Sequence, residues 1–289
     1  MNKKPSPPGG HKARIVKQMR ALGRTYGLRR VFADFCEVSA IAFSNAVDIA
    51  QREAREARYL FLIKQYKELE ERQTFPKMCA DLALALEETR EDVLGAIAGE
   101  LEILNKDSGQ FFTPYTISLF MAKMTLGGDD GKMIKKVVAD HGFFTAAEPA
   151  CGAGGMVIAL SEVCLEVGIN YQQHLHVTAV DIDPLCVHMT YLQGSLLHIP
   201  MIVYRGNSLS DSYTEAWYTP AHIVGGWSYK LCQHGIDKAD ATWWTGHSPA
   251  QRINLAKAAG LPVRQAMGRK PPREVLAQRN ADTQAQAAE

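Results

Sequence analysis

No stretch of the 289 residues approaches the roughly 20 consecutive apolar residues of a membrane span. The first eight, Met1-Asn2-Lys3-Lys4-Pro5-Ser6-Pro7-Pro8, contain no apolar signal core. Both absences point to a cytoplasmic protein with no membrane partner. The six cysteines, at 36, 79, 151, 164, 186 and 232, include no Cys-x-x-Cys and no matching histidine spacing. Reduced thiols are therefore expected, rather than zinc or disulfides. No Lys-Ser or Lys-Thr follows the chain's richest glycine cluster, which argues against a nucleoside triphosphatase, and the glycine spacing departs from the dinucleotide fingerprint. Acid is missing from residues 1 to 33, which carry nine lysines and arginines. The rest of the chain is left with 23 bases against 31 acids. A basic arm on an acidic body suits phosphate contacts, and equally a solvated tail.

An apolar share of 46% with 22% charged residues places the chain among globular proteins, and its length supports a substantial core. The organising stretch is Ala146-Ala147-Glu148-Pro149-Ala150-Cys151-Gly152-Ala153-Gly154-Gly155-Met156. Glycine costs about 1 kcal/mol and proline roughly 3 in a helix interior, so this is a loop. It sits between a first strand and the helix that starts at Gly155. In doubly wound sheets ligands bind at such strand ends, where glycines admit close approach and free helix amides offer donors. The same residues would also suit a plain strand-to-helix turn.

The following elements separate these readings. His176-Val177-Thr178-Ala179-Val180-Asp181-Ile182-Asp183-Pro184 is a β-branched run ending in acids, and Met201-Ile202-Val203-Tyr204 leads into Arg205-Gly206-Asn207-Ser208-Leu209. Asp181 would accept hydrogen bonds from ribose hydroxyls, Ile182 would pack on an adenine ring, and Asn207 would meet the adenine edge. Three strand ends then describe a nucleoside site without a phosphate fingerprint.

The segments Glu-Pro-Ala-Cys-Gly-Ala-Gly-Gly, Asp-Ile-Asp-Pro and Gly-Asn-Ser-Leu, in that order, resemble the first cofactor motifs of N6-adenine DNA methyltransferases. The likeness is nearest to the modification subunits of type I restriction systems. Upstream, Gly109-Gln110-Phe111-Phe112-Thr113-Pro114 resembles the family motif that covers the methionine end of S-adenosyl-L-methionine. The resemblance implies an α/β fold of the Rossmann-like class I S-adenosylmethionine-dependent methyltransferases, preceded by a helical segment. It implies DNA as substrate, a specificity subunit or other protein as partner, and a role in restriction-modification. The cofactor residues it implies are Gln110, Phe111, Phe112, Thr113, Pro114, Glu148, Gly152, Ala153, Gly154, Gly155, Asp181, Ile182 and Asn207.

The family's fourth strand ends in Asn-Pro-Pro and an aromatic residue, which bind the adenine amino group and stack on the flipped base. This chain has no Asn-Pro-Pro. Its nearest segment, Pro220 to Ser228, is expected as a fourth strand with glycines at 225 and 226, leaving Trp227 as the candidate for base stacking. No alternating or β-branched run after Tyr229 supplies strands five to seven, so a truncated sheet is expected. Two alternatives follow: a catalytically silent DNA- or partner-binding module, or a methyltransferase for another substrate using Tyr218, His222 or Trp227.

The expected organisation is a disordered basic arm over 1–30, a helical segment over 31–106, the α/β domain over 107–245, and a helical or disordered basic tail over 246–289. One helix is expected from about 31 to 57, with Gln51 to Glu71 extending it or beginning a second, and Pro76 as punctuation before two more. The helical segment reads either as a DNA-contacting lead-in or as a packing cap. Trp243-Trp244 reads either as a clasp over a sheet edge or as a stacking platform.

Overall fold

The computed structural model describes residues 10–103, 112–128 and 130–233, which fall within one compact unit. The expectations for the tail, for Trp243-Trp244 and for Gln110 and Phe111 lie outside those residues. The disordered arm expected over 1–30 is corrected over its described part, where Gly10–Tyr26 is a helix, α1; residues 1–9 lie outside the described residues. Ile15, Val16, Met19 and Leu22 recur on one face and are buried, while Lys17, Arg20 and Arg24 face out. The basic charge is therefore the wet side of an amphipathic helix. Two glycines have structural work here. Gly27 takes φ 87° at the turn into α2 (Leu28–Val47), and an added Cβ on Gly23 would come within 3.0 Å of Leu28.

The helix expected over 31–57 ends at Asp48 as α2, and a second helix, α3 (Arg52–Ile63), begins after it. Asp48 accepts hydrogen bonds from Arg55 at 3.0 Å and Gln51 at 3.1 Å, so its carboxylate organises the break. Pro76, expected as punctuation, instead lies inside α4 (Leu69–Thr89). Burial of Phe75 before it and Met78 and Leu82 after it offsets the roughly 3 kcal/mol that an interior proline costs. A short α5 (Val93–Glu100) follows, with Asp92 accepting from the Gly95 amide at 2.8 Å as its cap.

The remaining elements alternate. Helices α6 (Tyr115–Thr125) and α7 (Lys132–His141) precede β1 (Phe144–Glu148), α8 (Gly155–Glu166), α9 (Tyr171–His174) and β2 (Leu175–Asp181). Then come α10 (Pro184–Leu196), β3 (Met201–Asn207), β4 (Ser212–Tyr218), α11 (Pro220–Val224) and α12 (Trp227–Gln233). The sheet order is β1-β2-β3-β4, with the first three parallel and β4 antiparallel to β3. These three parallel strands, with α8 and α10 as crossovers, form a Rossmann-like half-sheet. The period of two is visible in the packing. Phe144, Leu175, Val177, Ala179, Met201 and Val203 face the helices, whereas Val180, Ile202 and Tyr204 form a smaller cluster on the other face.

The segment expected as a fourth strand, Pro220 to Ser228, is instead the two short helices α11 and α12. Thr219 caps α11 by accepting from the His222 amide, and Pro220 stands at its first turn, where a missing N–H costs nothing. The fourth strand present is the hairpin partner β4.

The helical segment shares a core with the α/β portion. Side chains of α1, α2, α4 and α5 cluster with Cys186, Met189 and Leu192 of α10 and with Ala153 of the glycine loop. A second tie is polar: buried Arg55 pairs with Asp48, donates to Ser44 and to the Ala216 carbonyl of β4 at 2.8 Å, and lies 3.9 Å over the Trp217 ring. The boundary expected near 106 is thus no boundary in packing. Cys36, Cys79, Cys151, Cys164 and Cys186 are unbridged. Among the described residues no helix is long and apolar enough to cross a membrane.

Two stability measurements check this architecture. Ile15→Ala is expected to cost about 2–5 kcal/mol in denaturant unfolding, as for a core aliphatic; a change near zero would return residues 10–26 to the status of a tail. Arg55→Ala is expected to cost about 3–5 kcal/mol, because it leaves Asp48 buried without its counter-charge. A cost under about 1 kcal/mol would mean that the strut between helices and β4 carries no load.

Candidate cofactor site

The site lies where β1, β2 and β3 end. Neighbouring strands stand about 4.8 Å apart, so their three ends span roughly 10 Å. Glu148 closes β1, Asp181 closes β2 and Asn207 closes β3. The loop after β1 is tied to β2 by the Cys151 amide donating to the Val180 carbonyl at 2.8 Å. Gly152 (φ 54°) and Gly154 (φ 92°) both adopt left-handed backbone, which a side chain would strain. Their need for glycine is also steric. A Cβ on Gly152 would meet the Phe112 ring at 3.1 Å, and one on Gly154 would meet Thr190 of α10 at 3.1 Å.

Asp181 is the hub. Its Oδ2 accepts from the Gly152 amide at 2.8 Å, and its Oδ1 accepts from the Asp183 amide at 2.9 Å. Burial raises the Asp181 pKa, while the two amides pull it back toward the charged form. Glu148 accepts from the Ala150 amide at 3.2 Å; burial raises its pKa, and the Asp181 charge pushes in the same direction. The second acid of the Asp-Ile-Asp-Pro run has a different task, since Asp183 caps α10 through the Leu185 amide at 2.9 Å. Asn207 turns its Oδ1 to the Leu209 amide at 2.9 Å.

Of the residues expected at the site, Phe112 reaches the glycine loop, whereas Thr113 and Pro114 are exposed, Pro114 as the cap of α6. Ala153 is buried in the helical core, and Gly155 begins α8. Ile182 is 68% exposed, the condition of a side chain available to a ligand. It lines an open cleft of ≈ 330 Å³ together with Arg205, Gly206, Asn207, Ser212 and Thr214. That cleft lies over the β3–β4 end of the site, and neither Glu148 nor Asp181 lines it. Arg205 is paired with Glu215 at 3.0 Å, so its charge is already balanced.

Trp227 requires correction. It is fully buried, edge-on to Phe143 at 5.4 Å and 5.3 Å from the His176 ring. A core tryptophan cannot stack on a base. Gly225 is there for the same packing: a Cβ would sit 2.5 Å from the Ala221 carbonyl and 2.8 Å from the Trp227 ring.

Sequence reading also missed the residues that hold the loop from behind. Thr190 donates to the Gly152 carbonyl at 3.0 Å, and Gln193 donates to the Ala153 carbonyl at 2.7 Å. Both lie among the apolar positions of α10, where only their polarity could have signalled a task. His222 links His176 at 2.8 Å to exposed Ser228 at 2.9 Å.

Two partly buried carboxylates at adjacent strand ends repel phosphate and favour hydroxyl donors and positive charge. That donor set fits a nucleoside carrying a cationic group, as S-adenosyl-L-methionine does. The fold is that of a Rossmann-like half-sheet, with its candidate ligand site at the carboxyl ends of three parallel strands. Residues 91–227 match the model of the N-6 DNA Methylase family, so the N6-adenine methyltransferase resemblance holds over that segment, which implies S-adenosyl-L-methionine as cofactor. A solved Listeria monocytogenes protein described as a class I S-adenosylmethionine-dependent methyltransferase is also similar, at 12% identity and a TM-score of 0.38. The match covers 70% of this chain and 55% of that one, so the chain spans about half of that protein's length. No curated protein matches the chain significantly.

The buried histidines supply a pH test. Burial lowers the pKa of His176 to about 3, with His222 adding to the effect, and that of His222 to about 4. Both values lie below the ordinary 6.5, so the neutral forms stabilise the fold fully above pH 6.5, and that stability is lost as pH falls toward 4. Thermal melts of a His176→Gln/His222→Gln variant should therefore decline less steeply between pH 6.5 and 4.5 than those of the wild type. Parallel declines would mean that these rings are not buried as neutral groups.

Proposed function

We propose that the chain binds S-adenosyl-L-methionine across the ends of β1, β2 and β3 and transfers its methyl group to adenine N6 in DNA, as part of a restriction-modification system. The observation that carries the reading is Asp181, whose carboxylate is held by two backbone amides at the tip of β2 beside Glu148. In this reading Asp181 accepts from the ribose hydroxyls, and Ile182 and Asn207 flank the adenine. Phe112 to Pro114, with Gln110 and Phe111 before them, cover the methionine end, and Glu148 faces positive charge. The bound cofactor supplies an activated methyl group. The residues of this chain bind and orient it, and their contribution is proximity more than acid–base chemistry. DNA as substrate, and a specificity subunit or other protein as partner, rest on the family likeness alone.

A second reading is favoured by one particular observation. The segment in the place of Asn-Pro-Pro folds as helix, with Gly225 closed off by packing and Trp227 buried. On that reading the chain is a cofactor-fold module that binds DNA or a partner without transferring a methyl group.

Calorimetric titration with S-adenosyl-L-methionine tests what the methyltransferase reading needs. Binding is expected, and Asp181→Ala should weaken it about tenfold or more, or ~1.4 kcal/mol. No binding by the intact chain would remove the cofactor assignment. Transfer of labelled methyl to adenine-containing DNA, with and without candidate partner proteins, then separates enzyme from silent module. Binding without transfer under any condition leaves the module.

A further inference from the structure

The glycine loop is held from the side opposite the strand ends by one fully buried carboxamide. Gln193, on α10, has no exposed surface. Its Nε2 donates to the Ala153 carbonyl at 2.7 Å and to Asp92 Oδ1 at 2.8 Å, while its Oε1 accepts from the Leu94 amide at 3.0 Å. Asp92 in turn caps α5 through the Gly95 amide at 2.8 Å. Its carboxylate also lies against the start of α8, where a Cβ on Gly155 would come within 3.5 Å of Oδ2. One side chain thus joins three pieces of backbone that are remote in sequence: the first turn of α5, the last turn of α10 and the glycine loop.

The charges make this arrangement specific. A glutamine offers two donors and an acceptor on one rigid plane, and all three directions are used. An ionised glutamate would lose both donors and face the Asp92 carboxylate. A methionine would fill the space and leave a carbonyl, a carboxylate and an amide unpaired in a dry site, at about 1–3 kcal/mol each. The apolar neighbours Met189 and Leu192 could have filled α10 without any polar group, so hydrophobic packing does not account for it.

We infer that Gln193, with Asp92, is a positioning residue for the cofactor: it fixes the Ala153 carbonyl and thereby the turn through Gly152 and Gly154, linking the helical layer to the site. This rests on the cofactor assignment above, and goes beyond it in making affinity depend on a group that does not touch the ligand. The chain of cause runs from the α5 cap, through the carboxamide, to the loop backbone.

The test uses the full chain with Gln193→Glu, which preserves shape, and Gln193→Met, which preserves volume. Amide exchange by NMR without ligand is the first readout. The Gly152 and Gly154 amides should exchange about tenfold faster in both variants, the loss expected for one buried hydrogen bond, while Val177 and Val203 in the central strands keep wild-type protection. The dissociation constant for S-adenosyl-L-methionine should rise about tenfold in parallel. Unchanged loop exchange, a uniform acceleration at all amides, or loss of folding in both variants would overturn the inference and return Gln193 to the core. Failure of the wild type to bind S-adenosyl-L-methionine would strike the cofactor assignment and with it the link to affinity, while the exchange readout would still decide whether Gln193 sets the loop.

Discussion

The Asp181 carboxylate holds the end of β2 and the loop after β1 in one piece. A short carboxylate at a strand tip can reach only backbone within about one residue's length, and here it reaches Gly152 on one side and Asp183 on the other. Those bonds aim the charged group, favour its ionised form against the cost of burial, and force Gly152 into a left-handed turn. The loop in that shape presents the start of α8 beside two carboxylates, which sets the chemistry of any ligand: hydroxyl donors and positive charge are favoured, and phosphate is not.

Behind this contact stands the helical layer. Helices α1, α2, α4 and α5 cover α10 with apolar side chains, and α10 contacts the loop through Thr190 and Gln193. The layer is therefore part of the site's foundation and more than a lead-in to it. At the other edge Arg55 reaches from α3 to the β4 backbone and the Trp217 ring, so β4 too is tied to the helices before it. The segment in the place of Asn-Pro-Pro is where the chain departs from the family pattern. The backbone after β4 turns helical at Pro220, and the space that a side chain would need at Gly225 is filled by the Ala221 carbonyl and Trp227.

Much of the cofactor half was legible in the sequence because its signals are local. Glycines that need positive φ, an acid at the end of a β-branched run, and Asp-Pro at a helix start each carry their reason within a few residues. The basic stretch before residue 33 was misread because charge was weighed without phase: Ile15, Met19 and Leu22 lie one turn apart, and the arginines fall between them. Trp227 was misread because an aromatic residue near glycines looks the same whether it faces solvent or Phe143. Pro76 was read as a break because its cost is local, while the burial that offsets it is not.

The sequence by itself determined the strand–loop–helix order and the identity of the acids at the strand tips, since both depend on neighbours along the chain. Only the tertiary structure decided that residues 10–26 belong to the core, that Pro220 to Ser228 is helix, that Trp227 is enclosed and that Gln193 braces the loop. Those outcomes depend on which side chains meet across separations such as the 101 residues between Asp92 and Gln193, and burial and hydrogen-bond satisfaction at such distances leave no trace in local spacing.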